Sequence, residues 1–244
     1  GQGITDYTLK QDFDWYANND HKVKFGLQAT HHTFTPDALV VKDPDFGLNI
    51  DRKTEYTSVE TGLYVEDEWK ISNRLKSLYG LRLSTFTTNN TTYINPEPRI
   101  SLAYNVKSDL AVKASYATMN QYVHLLSTSG VGLPTDLWVP ATDLVKPQNS
   151  QQLAAGIAKD FNKQNLSLTV EGYYKTMNNI IGYKEGASFL AIQESDEGLE
   201  SISWEDNVTS GTGVSYGAEV LLQRKQGKLT GWAGYTLSWT TQQF

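Results

Sequence analysis

Runs of about ten to fourteen residues in which apolar and polar side chains alternate follow one another along the chain, joined in turn by tight polar turns and by long irregular excursions. The tight turns are Ala17-Asn18-Asn19-Asp20, Ser72-Asn73, Val106-Lys107-Ser108-Asp109, Asn162-Lys163-Gln164-Asn165 and Lys225-Gln226-Gly227-Lys228. All are rich in residues that accept turn dihedrals or bond their own backbone. The excursions cover 35–54, 87–98, 118–150 and 177–213. A soluble β-sandwich has no reason to segregate connection lengths so strictly, whereas an outer-membrane barrel takes short turns on its periplasmic rim and long loops outside. The pattern predicts an all-β fold: an antiparallel transmembrane β-barrel with about ten strands in this chain and its tight turns facing the periplasm.

Only alternate residues of such a strand meet lipid, so 39% hydrophobic residues and a mean hydropathy of −0.44 fit a membrane-spanning chain of 244 residues. No apolar run approaches the roughly 20 residues of a spanning helix, which leaves any spanning to strands. The absence of cysteine excludes disulfides and thiolate metal sites. A net charge of −6 argues against nucleic acid as a partner. The N-terminus, Gly1-Gln2-Gly3-Ile4, has neither the charged nor the apolar region of a signal peptide, as expected if a signal has been removed or this is an internal piece of a longer chain.

The alternation keeps its register within each run. Tyr7, Leu9, Phe13 and Trp15 alternate with Lys10, Asp12 and Asp14; Val59, Leu63, Val65 and Trp69 oppose Glu60, Glu66 and Glu68; Val214, Tyr216, Ala218, Val220 and Leu222 oppose Ser215 and Glu219. A face that also carries Arg82, Arg99, Lys113, Glu171 and Lys175 cannot be a dry core, because unpaired buried charges cost several kcal/mol each. It must meet water or a polar partner, as in a wide lumen. Trp15, Tyr16, Trp69, Tyr104 and Phe161 lie beside the tight turns, and Tyr7, Tyr56, Phe86, Tyr116, Tyr174, Tyr216 and Trp239 toward the long-loop ends. Two such sets are expected to form aromatic girdles at the two membrane interfaces.

The segment Tyr64-Val65-Glu66-Asp67-Glu68-Trp69-Lys70 followed by Leu78-Tyr79-Gly80-Leu81-Arg82 resembles the recurrent "Y-x-x-D-x-W … G-x-R" strand pair of TonB-dependent outer-membrane transporters, specifically those of Bacteroidetes-type bacteria. Pro98-Arg99-Ile100-Ser101-Leu102-Ala103-Tyr104 leading to Lys113-Ala114-Ser115-Tyr116 resembles the pair that comes next. Val170-Glu171-Gly172-Tyr173-Tyr174-Lys175 and Ser215-Tyr216-Gly217-Ala218-Glu219 continue the same order. The resemblance implies a receptor that binds a nutrient at its extracellular loops and passes it to the periplasm through a 22-stranded, plugged barrel in the outer membrane of a Gram-negative bacterium. Residues 1–244 then form a partial barrel domain whose plug is not in this chain. The implied partners are outer-membrane lipid, the plug domain, the TonB energy-transducing complex and a surface lipoprotein, with no cofactor. Glu66, Glu68, Arg82, Arg99, Glu171 and Glu219 are expected to face the plug. The alternatives are an autonomous small barrel, either an adhesin or an omptin-like surface enzyme, and a soluble β-sandwich binding module.

Ligand recognition is expected on the long loops, with Tyr122, His124, Trp138 and Trp204 as candidate contacts, against the plainer reading that they pack their loops. A short helical turn is expected over 122–127. The acidic group Glu194, Asp196, Glu197, Glu200, Glu205 and Asp206, like Asp43, Asp45 and Asp51, offers calcium-type oxygen chemistry but no EF-hand spacing, and reads as solvated surface. His31 and His32 are adjacent strand residues, point to opposite faces and cannot easily share an ion. No nucleophile elbow, zinc-binding helix or phosphate loop occurs, so neither a catalytic residue nor a metal site is assigned.

Overall fold

The computed structural model describes residues 3–43, 48–126, 137–183, 192–195, 198–201 and 204–244. Their elements are β1 (Gly3–Tyr16), β2 (His21–Asp43), β3 (Leu48–Lys70), β4 (Leu75–Thr88), β5 (Thr91–Lys107), β6 (Leu110–Gln121), β7 (Val123–Leu126), β8 (Leu137–Pro140), β9 (Gln148–Phe161), β10 (Leu166–Tyr183), β11 (Ile192–Ser195), β12 (Gly198–Ser201), β13 (Val208–Arg224) and β14 (Gly231–Gln243). A 3-10 turn, Trp204–Asn207, precedes β13.

Ten strands form one antiparallel meander in the order β1-β2-β3-β4-β5-β6-β9-β10-β13-β14, and β7–β8 and β11–β12 are separate small hairpins within the connections. The first and last strands of the meander do not pair with each other among the described residues. Among the described residues only the two-stranded hairpin β7–β8 packs across this ten-stranded sheet, which overturns the β-sandwich alternative.

Register aligns the alternation from strand to strand. Phe13, Phe25, Val65, Leu81 and Pro98 are successive cross-strand partners on the outer face; Asp12, Gly26, Tyr64, Arg82 and Glu97 form the adjacent inner row. The outer rows are the exposed ones, with Leu9, Leu63, Val65, Leu81, Leu153 and Ile157 all uncovered by protein. Such a face is stable only where the surrounding medium is itself apolar. Trp15, Trp69, Tyr104 and Phe161 border it at the tight-turn end, and Tyr7, Tyr174, Tyr216 and Trp239 at the other.

Polar groups among the outer rows bond within the wall. Thr61 pairs with Thr85, its register partner. At the tight-turn girdle the Asp67 carboxylate accepts from His21 Nδ1 and from the Tyr79 hydroxyl, each at 2.7 Å, and the His21 ring stacks on Trp69 at 5.5 Å. The aspartate of the Tyr64-Asp67-Trp69 motif thus ties three strands together where the wall leaves the hydrocarbon. Farther along the same rim, Lys159 Nζ on β9 lies 2.9 Å from Asp109 and 5.9 Å from the Phe161 ring centre, its stem along the apolar face and its charge in the turn. The ammonium holds the Asp109 carboxyl below the usual carboxylate range.

Several expectations fail. The excursion at 35–54 is largely a continuation of β2 and β3, which pair out to Asp43 and Leu48 past a bulge between Phe34 and Asp37. That at 87–98 is a tight hairpin turn, with Asn89 at φ 47° between Thr88 and Thr91. Backbone ladders persist beyond the bilayer, where no lipid imposes the apolar alternation that marked the strands in the sequence. Tyr56 and Phe86, expected in the outer girdle, point inward, because they lie at even positions of strands whose lipid-facing set is odd.

The buried core sits inside the wall at the long-loop end. Leu126, Val139, Val145 and Val208 pack with Tyr56 and Ile181; Phe86, Tyr122 and Ala141 pack with Tyr93. Strands β3 and β10 stand third and eighth in the sheet, about 24 Å apart if it were flat at 4.8 Å per strand. Both contribute to the first cluster, so the sheet curls around hairpin β7–β8.

Candidate functional site

Hairpin β7–β8 is laid against the inner wall by its alternate residues. His124 and Val139 are register partners and buried, as is Leu126; Leu125 and Trp138 are partners on the opposite face, 42% and 44% exposed. Over 123–126 the expected helical turn is instead strand β7, whose alternate residues His124 and Leu126 give the hairpin one face to bury.

Tyr122 anchors its base. The ring is 2% exposed and stacks on Phe86 with centroids 5.0 Å apart and planes parallel. Its oxygen lies 2.6 Å from Ser84 Oγ and accepts from Asn95 Nδ2 at 3.1 Å. Burial pushes the phenol up. His124, 2% exposed, donates from Nε2 to the Lys146 carbonyl at 3.2 Å. Beyond the hairpin, Thr142 Oγ1 accepts from the Leu144 and Val145 amides and donates to Glu205 Oε2 at 3.0 Å, linking two of the long connections. Burial raises the Glu205 carboxyl.

Of the four expected ligand contacts, the structure therefore presents Trp138 to solvent and folds Tyr122 and His124 beneath the hairpin. Trp204 opens the 3-10 turn, and its side chain lies outside the described part. Asp45, Asp196 and Glu197 lie outside the described residues. Sequence reasoning missed Leu125, which completes an apolar pair with Trp138; the period-two step from Val123, on the face opposite His124, was the available signal.

Burial pulls His124 down to about 4, so the ring is neutral at pH 7. A free imidazole titrates near 6.5, and a lowered value in the packed hairpin makes the neutral ring's contribution complete above that pH and lost as pH falls toward 4. The full loss is about 3 kcal/mol of hairpin docking. Hydrogen exchange of the β7 amides, corrected for intrinsic rates, is expected to accelerate between about pH 6 and pH 4, and His124→Phe to abolish that acid dependence.

The inner wall places the expected lumen residues in three groups. Lys10, Asp12, Lys24, Glu66, Arg82 and Arg99 line one recess of about 230 Å³. Arg82 Nε is 3.4 Å from Glu97 Oε1, and Glu97, 7% exposed, also accepts the Asn120 amide at 2.6 Å. Glu171 and Glu219 are direct cross-strand partners on β10 and β13, with no ionic partner among the described residues. Glu68 faces the tight-turn rim with Lys22, Lys70 and Lys76.

Glycines let the large inner side chains lie flat. A Cβ at Gly26 would fall 2.8 Å from the Tyr64 ring, at Gly80 2.6 Å from Glu66 Cβ, and at Gly156 2.8 Å from Glu171 Cγ. In each pair the glycine is the register partner of the residue that covers it. Tyr64, stretched over Gly26, reaches the Asp12 carboxylate on β1.

A sequence model of the TonB dependent receptor-like β-barrel family matches residues 1–244, the entire chain. The chain belongs to the TonB-dependent receptor β-barrel family. Solved structures of similar fold include the FrpB iron transporter from Neisseria meningitidis (F3-3 variant), 16% identical with a TM-score of 0.68 over 98% of this chain and 36% of that one. The siderophore receptor PirA from Pseudomonas aeruginosa is 17% identical, with a TM-score of 0.67 over 98% of this chain and 43% of that one. The ferric-catecholate import receptor Fiu from K12 E. coli is 15% identical, with a TM-score of 0.60 over 100% and 39%. A comparison with curated protein sequences found no match. This TonB-dependent receptor barrel chain spans 36% to 43% of the length of these three structures.

Proposed function

We propose that the ten strands are part of a larger closed wall, the 22-stranded barrel of a TonB-dependent receptor that captures a scarce nutrient outside the cell and admits it to the periplasm. The activity is transport rather than catalysis. The observation that carries this reading is a single curled sheet, apolar on its outer rows and charged on its inner ones, in a chain matched throughout by the family. Among the described residues β1 and β14 each pair with one neighbouring strand, which supports assembly with further strands.

A plug domain fills the lumen and rests on Glu66, Glu68, Arg82, Arg99, Glu171 and Glu219. The like-charged couple Glu171–Glu219 supports this, because facing carboxylates destabilise a ladder unless something cationic lies over them. The TonB complex acts from the periplasmic side, and a surface lipoprotein covers the mouth, as the Bacteroidetes-type order of the strand motifs favours. Trp138, with Leu125 beside it, makes the ligand contact, while Tyr122 and His124 hold the hairpin that presents it. Trp204 lies in the neighbouring loop.

Cells lacking the full receptor are expected to lose growth on one limiting nutrient, with recovery by the intact receptor only where TonB works. Trp138→Ala is expected to lower uptake about tenfold at unchanged receptor abundance, the loss of one aromatic anchor. Recovery without TonB would exclude energised transport, and unchanged uptake in the variant would remove Trp138 from the binding surface.

A further inference from the structure

His32 lies on the inner face of β2, one residue beyond the girdle level of Tyr7 and its partner His31, and is 6% exposed. Its Nδ1 is 2.6 Å from Asp6 Oδ1 on β1 and its Nε2 2.9 Å from Glu60 Oε2 on β3. Ionised carboxylates only accept hydrogen bonds, so a ring that serves both must donate from both nitrogens, which makes it an imidazolium. Asp6 and Glu60 are the charged groups that face it from β1 and β3, and Arg82 of β4 shares the surrounding recess. Strand β8, which packs on β2, carries no titratable residue.

The ring also abuts the core beneath the hairpin. Its centroid is 5.5 Å from that of Phe34 and 6.3 Å from that of Phe86, and Phe86 is the ring on which Tyr122 stacks. Ser58, the register partner of His32 on β3, is buried with its hydroxyl unpartnered among the described residues.

We propose that His32 is a proton-operated latch: as imidazolium it clamps β1 to β3 beneath hairpin β7–β8, and its deprotonation in alkaline surroundings frees the hairpin from the wall. Losing one proton turns one nitrogen into a lone pair aimed at a carboxylate. The ring then swings away from Asp6, the more exposed of the two acids, toward the Ser58 hydroxyl, and the Phe34 and Phe86 rings packed against it move with it. His124 acts in the opposite sense at low pH, so the hairpin is held down over an intermediate range and released on both sides of it.

The test uses the full-length receptor in detergent, in a background without other reactive cysteines, with Val139→Cys under the hairpin and Leu144→Cys as the exposed reference. The ratio of their maleimide labelling rates cancels the pH dependence of thiolate reactivity. Between pH 6 and pH 9 that ratio is expected to rise about tenfold, and in His32→Gln, whose amide turns donors to one side and only an acceptor oxygen to the other, to be high and flat. Asp6→Asn with Glu60→Gln keeps the histidine but removes its need for a second proton, and is likewise expected to give a flat profile. A parent ratio independent of pH, or an unaltered rise in either variant, overturns the latch. The readout does not involve transport, so it stands or falls apart from the uptake assay.

Discussion

Leu81→Arg is expected to cost the folded barrel about 2–4 kcal/mol, the depth-dependent penalty for a cation on a lipid-facing strand position near the bilayer midplane. Leu81 sits in the outer row between Val65 and Pro98, about half-way between the two aromatic girdles. The same change at Ser101, on the inner face of the neighbouring strand, is expected to cost less than about 0.5 kcal/mol, since an arginine there enters the aqueous side among Arg99 and Lys113. Urea titration of the full receptor refolded into phospholipid vesicles measures both. Equal tolerance at the two positions would mean that hydrocarbon does not cover the outer rows.

Tyr122→Ala is expected to release the hairpin. Truncating a fully buried aromatic ring costs about 3–5 kcal/mol, and here the ring is the stacking partner of Phe86 and the hydrogen-bond partner of Ser84 and Asn95. The loss falls on the docked loop rather than on the wall, because β4 and β5 keep their ladders to one another. Protease cleavage within 123–140 should therefore become fast while the denaturation midpoint of the barrel stays within error. Tyr122→Phe keeps the stack and gives up the two hydrogen bonds, an effect of about 1–2 kcal/mol. Slow cleavage in the alanine variant would show that the hairpin is held by some other contact.

The lipid-facing rows were legible because hydrocarbon enforces strict alternation: Val59, Leu63 and Val65 on one side and Glu60 and Glu66 on the other leave no choice of face. Outside the bilayer that constraint lapses. The protruding parts of β2 and β3 and the tight turn at Asn89 break the apolar–polar alternation in sequence, so the sequence there reads as loop while the ladder continues. Phe86 and Tyr56 were misplaced because an aromatic near a strand end serves a membrane girdle or a loop core equally well, and only the parity of the residue decides. At the candidate site, Trp138 and Tyr122 look alike in sequence. What separates them is a long-range fact, the return of the hairpin onto Phe86, Ser84 and Asn95, which no local pattern encodes. The paired acids of His32 come from strands 26 and 28 residues away and were equally invisible, although the opposite orientation of His31 and His32 followed from adjacency alone.

The glycines that lie beneath Tyr64, Glu66 and Glu171 bind the evolution of neighbouring strands together. The inner surface fixes the summed volume of each couple, not which member carries the bulk. Enlarging the small residue first drives a Cβ into the other strand, and shrinking the large one first opens a void, so either single step passes through a less stable ancestor. Couples of this kind exchange roles only by paired substitution, and strand register in this wall is recorded in inherited pairs as much as in the backbone ladder.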